Sequence, residues 1–174
     1  MSGAPAGAEP VSAKEFLRYE LILVTSSKHP LANRRAKKQA LAGQPWLLGP
    51  SAAEKNGATA QLLQRFGVPE ENQRIFQSHA AALAETREGN GIGVVPEFRV
   101  RDALTKGDLH RVSAPGAAAS AVWQATTLPP NQAPPVAAEL ARFVTTPRAI
   151  QAMLTGSGAN IGRFKPRVHV TLWS

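Results

Sequence analysis

The stretch Gln77–Pro96 constrains the fold more than any other, because it predicts a strand, a helix and a second strand in one short connection. Ser78 is a favourable N-cap, since its hydroxyl can accept a hydrogen bond from the first helical turn. Gly89 and Gly91 predict the end of the helix, because glycine adopts left-handed backbone angles without steric cost. Ile92–Val95 is then a short apolar run, typical of a strand buried on both faces.

Small side chains mark the predicted helix within this stretch. Ala80, Leu83 and Ala84 recur at helical spacing, so we expect them to pack closely on a sheet. Where the preceding strand ends and the helix begins, unpaired N–H groups face a crevice. Gln77, Ser78 and His79 are therefore a candidate seat for an anion or another polar ligand. The alternative is an ordinary strand–helix–strand unit with a good cap.

The remainder of the chain repeats this alternation of strands and helices without an internal repeat. Short apolar runs predict strands, and amphipathic or glycine-terminated segments between them predict helices. Strands separated by helices throughout indicate an α/β fold with a parallel sheet. The predicted strands outside the central unit are Leu21–Val24, Trp46–Gly49, Leu109–Val112 and Ala121–Leu128, and the strand entering that unit is Arg74–Gln77.

Composition excludes several kinds of site. The chain has no cysteine, which removes disulfides and thiolate metal sites, and its four histidines are not at metal-ligand spacing. We therefore expect no metal and no cofactor. No apolar run is long enough to span a membrane, and no secretory signal pattern is present, so a cytoplasmic location is expected.

A formal net charge of +8 favours polyanions, acidic partners or anionic ligands. The densest basic cluster comprises Arg34, Arg35, Lys37 and Lys38. It is interpreted as a solvated face, with a nucleic-acid patch as the alternative, because no aromatic residues are interleaved with it.

The sequence does not indicate an enzyme. Gly89, Gly91 and Gly93 suggest a dinucleotide fingerprint, but that motif follows a strand and precedes a helix, whereas these glycines do the reverse. No nucleophile-elbow motif is present, and Ser78 and His79 are adjacent, so both cannot readily face one reacting atom. No catalytic residue is therefore proposed from the sequence.

Several segments, in order, resemble the effector-binding domain of LysR-type transcriptional regulators. Glu20–Val24 followed by His29–Ala32 is similar to the family's entry into its second lobe, and Pro45–Leu48 with Phe66–Pro69 continues the pattern. Later parts of the chain also resemble the family pattern. The matching residues are Ser78, Gly89, Gly91, Ile92, Gly93, Val95, Pro96, Gly107–Leu109, Trp123 and Phe143–Pro147.

The resemblance implies an α/β fold built from the Rossmann-like lobes of a type 2 periplasmic-binding-protein-like domain. In the family, a winged helix-turn-helix, a linker helix and the first half of lobe one precede the segment at His29, and none is recognised here. The chain is therefore expected to be truncated at its N-terminus. The expected parts are a flexible leader (1–15), the second lobe (16–113), the returning strand and helices of an incomplete first lobe (114–160), and a basic C-terminal tail (161–174).

The resemblance also implies a function without catalysis. A small anionic effector would bind at Ser27, Ser51 and Ser78, with Gln77 and His79 beside them, and the chain would form a homo-oligomer, such as a dimer. No specific DNA recognition is expected from this chain alone, although full-length family members bind DNA. The alternatives are a solute-binding protein of a transporter, which shares the fold, and a small α/β enzyme.

Overall fold

The computed structural model describes residues 12–129 and 131–156. The N-terminal part of the predicted leader and the predicted C-terminal tail lie outside these residues. Two short 3₁₀ turns accompany the main elements, at Pro50–Ala53 and Glu70–Asn72. In chain order the strands and helices are β1 (Ser12–Ser26), α1 (Lys38–Ala42), β2 (Trp46–Leu48), α2 (Ala58–Phe66), β3 (Gln73–Ile75), α3 (His79–Glu88), β4 (Ile92–Pro96), α4 (Glu97–Lys106), β5 (Leu109–Arg111), β6 (Ala118–Thr127), α5 (Pro135–Val144) and α6 (Pro147–Thr155).

The six strands form one mixed sheet, which confirms the α/β class and corrects the prediction that all strands are parallel. The order is β3-β2-β4-β1-β5, and β6 also pairs with β1. Strand β2 is parallel to β3 and β4, whereas β1 is antiparallel to β4, β5 and β6. Thus β1 alone runs against the other five strands. Apolar periodicity identifies a strand but does not fix its direction, so the sequence did not reveal this reversal.

Strand β1 is longer than predicted, and it begins inside the predicted leader. Residues 12–15 are exposed, yet they pair with β6 from Ser12 opposite Thr127 to Glu15 opposite Gln124. The leader prediction is therefore wrong for residues 12–15. Pairing in a sheet is made by backbone groups, so a segment with no buried side chain can still be a strand.

The core lies on both faces of the sheet. On one face, helices α1 and α2 cover a cluster around Trp46, whose ring is fully buried. The indole Nε1–H of Trp46 donates to the carbonyl oxygen of Leu41 at 2.9 Å. On the other face, α3 and α4 cover a smaller cluster that includes Ile22 and Val95. Consecutive residues of β1 alternate between the two clusters, as a pleated strand requires.

Helix α3 has the predicted ends but a different buried face. The Ser78 hydroxyl accepts from the N–H of Ala81 at 3.1 Å, which confirms the cap. The buried residues are Ala82 and Thr86. Of the predicted stripe, Leu83 is half-buried and packs on the core, whereas Ala80 and Ala84 are exposed, so the prediction is wrong for the two alanines. The reason is Gly93 in β4: a Cβ there would lie 2.5 Å from the Thr86 hydroxyl, so the bare backbone admits Thr86.

The last strand and two helices continue this architecture. Residues 118–120, which precede the predicted strand Ala121–Leu128, belong to β6, and Ala119 lies in the same core as the second-lobe strands. Helix α5 contacts β6, and α6 contacts both α4 and α5. The division between a second lobe and a returning segment at residue 114 stays a prediction. Within the described residues, no helix has the length and apolar character that would let it cross a membrane.

Candidate functional site

The carboxyl ends of β2 and β3 lie at one edge of the sheet, and polar side chains follow both strands. Ser51 lies in the 3₁₀ turn after β2, and His79 is the first residue of α3. Their side chains share a hydrogen bond of 3.1 Å between Ser51 Oγ and His79 Nε2. Gly49 makes the pairing possible, because a Cβ at that position would lie 2.3 Å from Cδ2 of the His79 ring.

A cleft of about 850 Å³ opens at this edge, and we call it the sheet-edge cleft. The Ser51 turn, the start of α2 and His79 form one side, and the β1–β6 ribbon forms the other. Helix α2 has no side-chain cap, and its first residues, Ala58 and Thr59, line the cleft. The first amides of a helix have no partner within it, and the dipole adds partial positive charge there. This side of the cleft is therefore suited to an anion.

The ribbon side is aromatic. Tyr19 and Trp123 both line the cleft, with ring centroids 5.4 Å apart in an edge-on arrangement. Phe98 packs edge-on against both rings, at 5.8 and 5.9 Å. Burial raises the pKa of Tyr19, and the charge of Glu54 raises it further, against a hydrogen bond with Trp123 that lowers it. The phenol therefore stays neutral near pH 7.

Charged side chains also border the cleft. Arg99 at the start of α4 and Glu54 beside the Ser51 turn both line it. Arg99 is exposed and offers a positive charge to an incoming anion, whereas Glu54 opposes it. Across the residues that the structure describes, no group of histidines and carboxylates could hold a metal ion. The arrangement is that of a binding cleft with an anion-favouring end and an aromatic end.

The structure separates the five residues that the sequence singled out. Ser51 and His79 come together in the cleft, and Ser78 caps the helix directly beside them. Gln77 is exposed and does not line the cleft. Ser27 lies beyond the carboxyl end of β1, where its N–H donates to the backbone carbonyl oxygen of Asp108. Because β1 is antiparallel to β4, this is the opposite edge of the sheet from Ser51.

Sequence reasoning missed the aromatic side and the start of α2. Tyr19 and Trp123 meet because β1 pairs with β6, with Tyr19 opposite Ala121 and Leu17 opposite Trp123. No local pattern reveals which distant strands will be neighbours. The uncapped start of α2 after Gly57 was visible, since no Ser, Thr, Asp or Asn stands at that cap position.

His29, in the turn after β1, is buried and does not belong to the cleft. Its Nδ1 accepts from the N–H of Leu31 at 3.2 Å, which requires that nitrogen to be unprotonated. Burial lowers the pKa of His29, although a hydrogen bond with Gln44 works in the opposite direction. The histidine of the predicted His29–Ala32 motif is thus a neutral structural residue.

Comparisons with known proteins agree with this architecture. Residues 2–147 match the family model described as the LysR substrate binding domain. An uncharacterized HTH-type transcriptional regulator of Mycobacterium tuberculosis is 43% identical over 161 residues, which is 92% of this chain and 50% of that protein. The chain thus spans about half the length of this curated relative.

Two solved structures are similar in fold. The CcmR regulatory domain of Synechocystis PCC6803, in complex with 2-PG, has a TM-score of 0.59 at 17% identity, covering 83% of this chain and 70% of that one. The effector binding domain of QuiR, in complex with shikimate, has a TM-score of 0.60 at 14% identity, covering 83% and 68%. On the strength of the family match and the 43% identical relative, this chain belongs to the LysR substrate binding domain family of transcriptional regulators.

Proposed function

We propose that the chain binds a small anionic effector in the sheet-edge cleft and is the sensing part of a LysR-type transcriptional regulator. The observation that carries the proposal is the hydrogen bond between Ser51 and His79 in the cleft. Two side chains from different elements, 28 positions apart, are held together beside the uncapped start of α2. Hydroxyl, imidazole and backbone N–H groups together can donate several hydrogen bonds to a carboxylate or phosphate.

The similar domains support the same class of ligand. QuiR was solved with shikimate, which is a carboxylate, in its effector binding domain. In this chain, the anionic group would meet the Ser51–His79 pair, and the remainder of the effector would lie against Tyr19 and Trp123. A net charge of +8 further favours an anion over a neutral or cationic effector.

Such binding would act by shifting the populations of two arrangements of the regulator. An effector can change the regulator's arrangement on DNA only if it has different affinities for two arrangements. The cleft lies between the β1–β6 ribbon and the side formed by the Ser51 turn and the start of α2, so a ligand that contacts both sides would favour one relative position of the two. Because the regulator acts on DNA, we place it in the cytoplasm.

An enzyme is the less favoured alternative. Ser51 and His79 are a nucleophile and a base within hydrogen-bond distance. In the described part of the chain, however, His79 has no carboxylate partner of the kind that orients the ring in hydrolytic triads. A transporter's solute-binding protein shares the fold, but the 43% identical relative is a transcriptional regulator.

The effector proposal predicts that alanine substitutions at two positions weaken anion binding and that a substitution at a third position does not. We expect Ser51→Ala and His79→Ala each to weaken binding of shikimate, used as a probe carboxylate, by about 10- to 150-fold, because each removes a hydrogen bond to a charged group worth about 1.5–3 kcal/mol. Isothermal titration calorimetry measures this directly. Ser27→Ala is the matched control, since it removes the same hydroxyl at the opposite edge of the sheet.

Two results would contradict the proposal. One is that Ser27→Ala weakens the probe as much as Ser51→Ala does. The other is that shikimate and its neutral primary amide bind equally well, which would show that the cleft does not recognise charge. If shikimate itself is too weak, the same comparison is made with a panel of aromatic and alicyclic carboxylates and their amides.

We also propose that the chain associates with a second copy through α5. Val136 and Leu140 lie one turn apart on this helix and are 66% and 59% exposed. Leu128, just after β6, is 39% exposed. Large apolar side chains that cluster on a surface favour burial against a partner. A homo-oligomer also suits a family whose regulators act through rearranged assemblies on DNA.

If the chain associates in this way, its average molecular mass in solution rises with protein concentration, and a substitution in the apolar face of α5 prevents that rise. Leu140→Asp places a charge in the apolar face, so we expect it to keep the chain monomeric where the wild type pairs. Sedimentation velocity over a wide concentration range is the measurement. Ala138→Asp adds the same charge on the opposite side of α5 and should leave association unchanged. A wild-type chain that stays monomeric at the highest concentration would refute the pairing.

A further inference from the structure

Arg34, Arg35, Lys37 and Lys38, which we call the basic segment, are held on a fixed part of the backbone. Ala36 in the middle is buried, with 5% of its surface exposed. Its N–H donates to the carbonyl oxygen of Ser113 at 2.8 Å, and Arg35 forms a parallel bridge with Ser113. The four exposed cations therefore lie on a short segment that is fastened at its centre and runs from a bend at Arg34 to Lys38, the first residue of α1.

These cations have no acidic partners among the residues that the structure describes. Nearby arginines, in contrast, have partners within the chain. Arg111 pairs with Glu20 at 2.9 Å and with Glu97 at 3.3 Å. Arg65 donates to the carbonyl oxygens of Gly116 and Ala118, both at 2.8 Å. The positive charge of the basic segment is thus left for a partner outside the described chain.

The basic segment borders two joined depressions. One, of about 450 Å³, is lined by Arg35, Lys37 and Lys38, together with Phe66. The other, of about 600 Å³, continues from Arg35 to Arg111. The two share Arg35, Ala114 and Pro115, and neither is lined by an acidic residue. None of the four cations lines the sheet-edge cleft, so this surface is separate from the proposed effector site.

We infer that the basic segment contacts the phosphate backbone of duplex DNA. The four Cα–Cα steps from Arg34 to Lys38 can span at most about 14 Å, and phosphates follow one strand at about 3.4 Å per base pair. Several of the four cations, which have long side chains, can therefore meet phosphates of one strand at the same time. Lysine and arginine contacts to phosphates hold a protein on DNA without reading its sequence. The surface adds affinity and orientation to a transcriptional regulator, while the sequence is read elsewhere.

DNA is a better candidate partner than an acidic protein because of how the cations are arranged. The cations follow one another along a single run of backbone, as phosphates follow one another along a strand. The apolar side chains that line the depressions are small apart from Phe66, so they offer a peptide little to anchor on. Membership of a family of transcriptional regulators also brings the chain close to DNA.

The test is a salt titration of DNA binding with two charge-matched variants of the full 174-residue chain. One variant carries Arg34→Gln, Arg35→Gln, Lys37→Gln and Lys38→Gln. The control carries four Gln substitutions at exposed cations elsewhere, which are Arg87, Arg101, Lys106 and Arg148. Fluorescence anisotropy with a random-sequence 30-base-pair duplex gives the slope of log K against log salt. Circular dichroism confirms that each variant is folded.

The first variant is expected to lower the steepness of that slope by about 2–4, because each lost phosphate contact removes about 0.9. The control is expected to keep the wild-type slope. Equal losses in both variants would overturn the inference, since the attraction would then be spread over the whole surface. Absence of wild-type binding at 50 mM salt would also overturn it. So would tighter binding to poly-glutamate than to the duplex, which would assign the surface to an acidic protein.

Discussion

Replacing Trp46 with alanine is expected to lower the free energy of unfolding by about 4–5 kcal/mol, because truncating a buried tryptophan loses its burial and leaves a cavity. Trp46 is fully buried in β2, and its ring packs on Phe66 with centroids 5.8 Å apart. Domains of this size are stable by only about 5–15 kcal/mol. The variant should therefore be close to unfolded at 37 °C, which urea denaturation followed by circular dichroism measures.

Trp46→Phe separates the two contributions of the tryptophan. It keeps most of the apolar surface and removes the Nε1–H that donates to Leu41. That carbonyl oxygen also accepts from the N–H of Gln44, so it keeps one partner. We expect a loss of about 1 kcal/mol from the hydrogen bond, with the smaller ring adding to it. A Trp46→Ala loss under 2 kcal/mol would mean that β2 is not the centre of the core.

Gly91→Ala is expected to lower the free energy of unfolding by about 3 kcal/mol, although it adds a single methyl group. A Cβ at this position would lie 2.3 Å from the carbonyl oxygen of Pro45, which is backbone and cannot rotate away. The same oxygen accepts from the N–H of Ile92 at 2.8 Å, so moving it disturbs the junction of β2 and β4. Chemical denaturation gives the measurement.

Gly107→Ala is the control for that substitution. Gly107 ends α4 with a φ of 77°, and a Cβ there meets nothing within 4 Å. Its replacement therefore reports only backbone strain, about 1 kcal/mol for a left-handed residue. If Gly91→Ala and Gly107→Ala cost the same, the close approach of Gly91 to Pro45 is not energetically important.

Local structure was largely predictable from the sequence. The apolar runs at Trp46–Leu48 and Ile92–Val95 and the Ser78 cap depend on neighbouring residues only, and all appear where predicted. The contact between Ser51 and His79 was partly predictable for a different reason, because residues that follow parallel strands meet at one edge of the sheet. Ser27 was assigned from its position in the family pattern, which does not reveal that β1 runs against the other strands and leaves Ser27 at the opposite edge of the sheet from Ser51.

Features set by distant pairing could not be predicted. Residues 12–15 become a strand only because β6 supplies backbone partners more than a hundred positions later. The buried face of α3 depends on Gly93, which opens space under Thr86 and not under Ala80. The aromatic side of the cleft likewise requires Tyr19 and Trp123 to lie on neighbouring strands. Each case needs the sheet order, which periodicity along the chain does not contain.

The central position of β1 has a consequence for synthesis on the ribosome. Every strand that pairs with β1 comes later in the chain, and the first of them, β4, begins about 65 residues after β1 ends. At about 5–20 residues per second, the apolar run Leu21–Val24 waits roughly 3–13 s for its first partner. During that time it presents unpaired edges to other nascent chains. Slower translation between residues 26 and 92 lengthens this exposure, so codon choice in that interval affects the yield of folded protein.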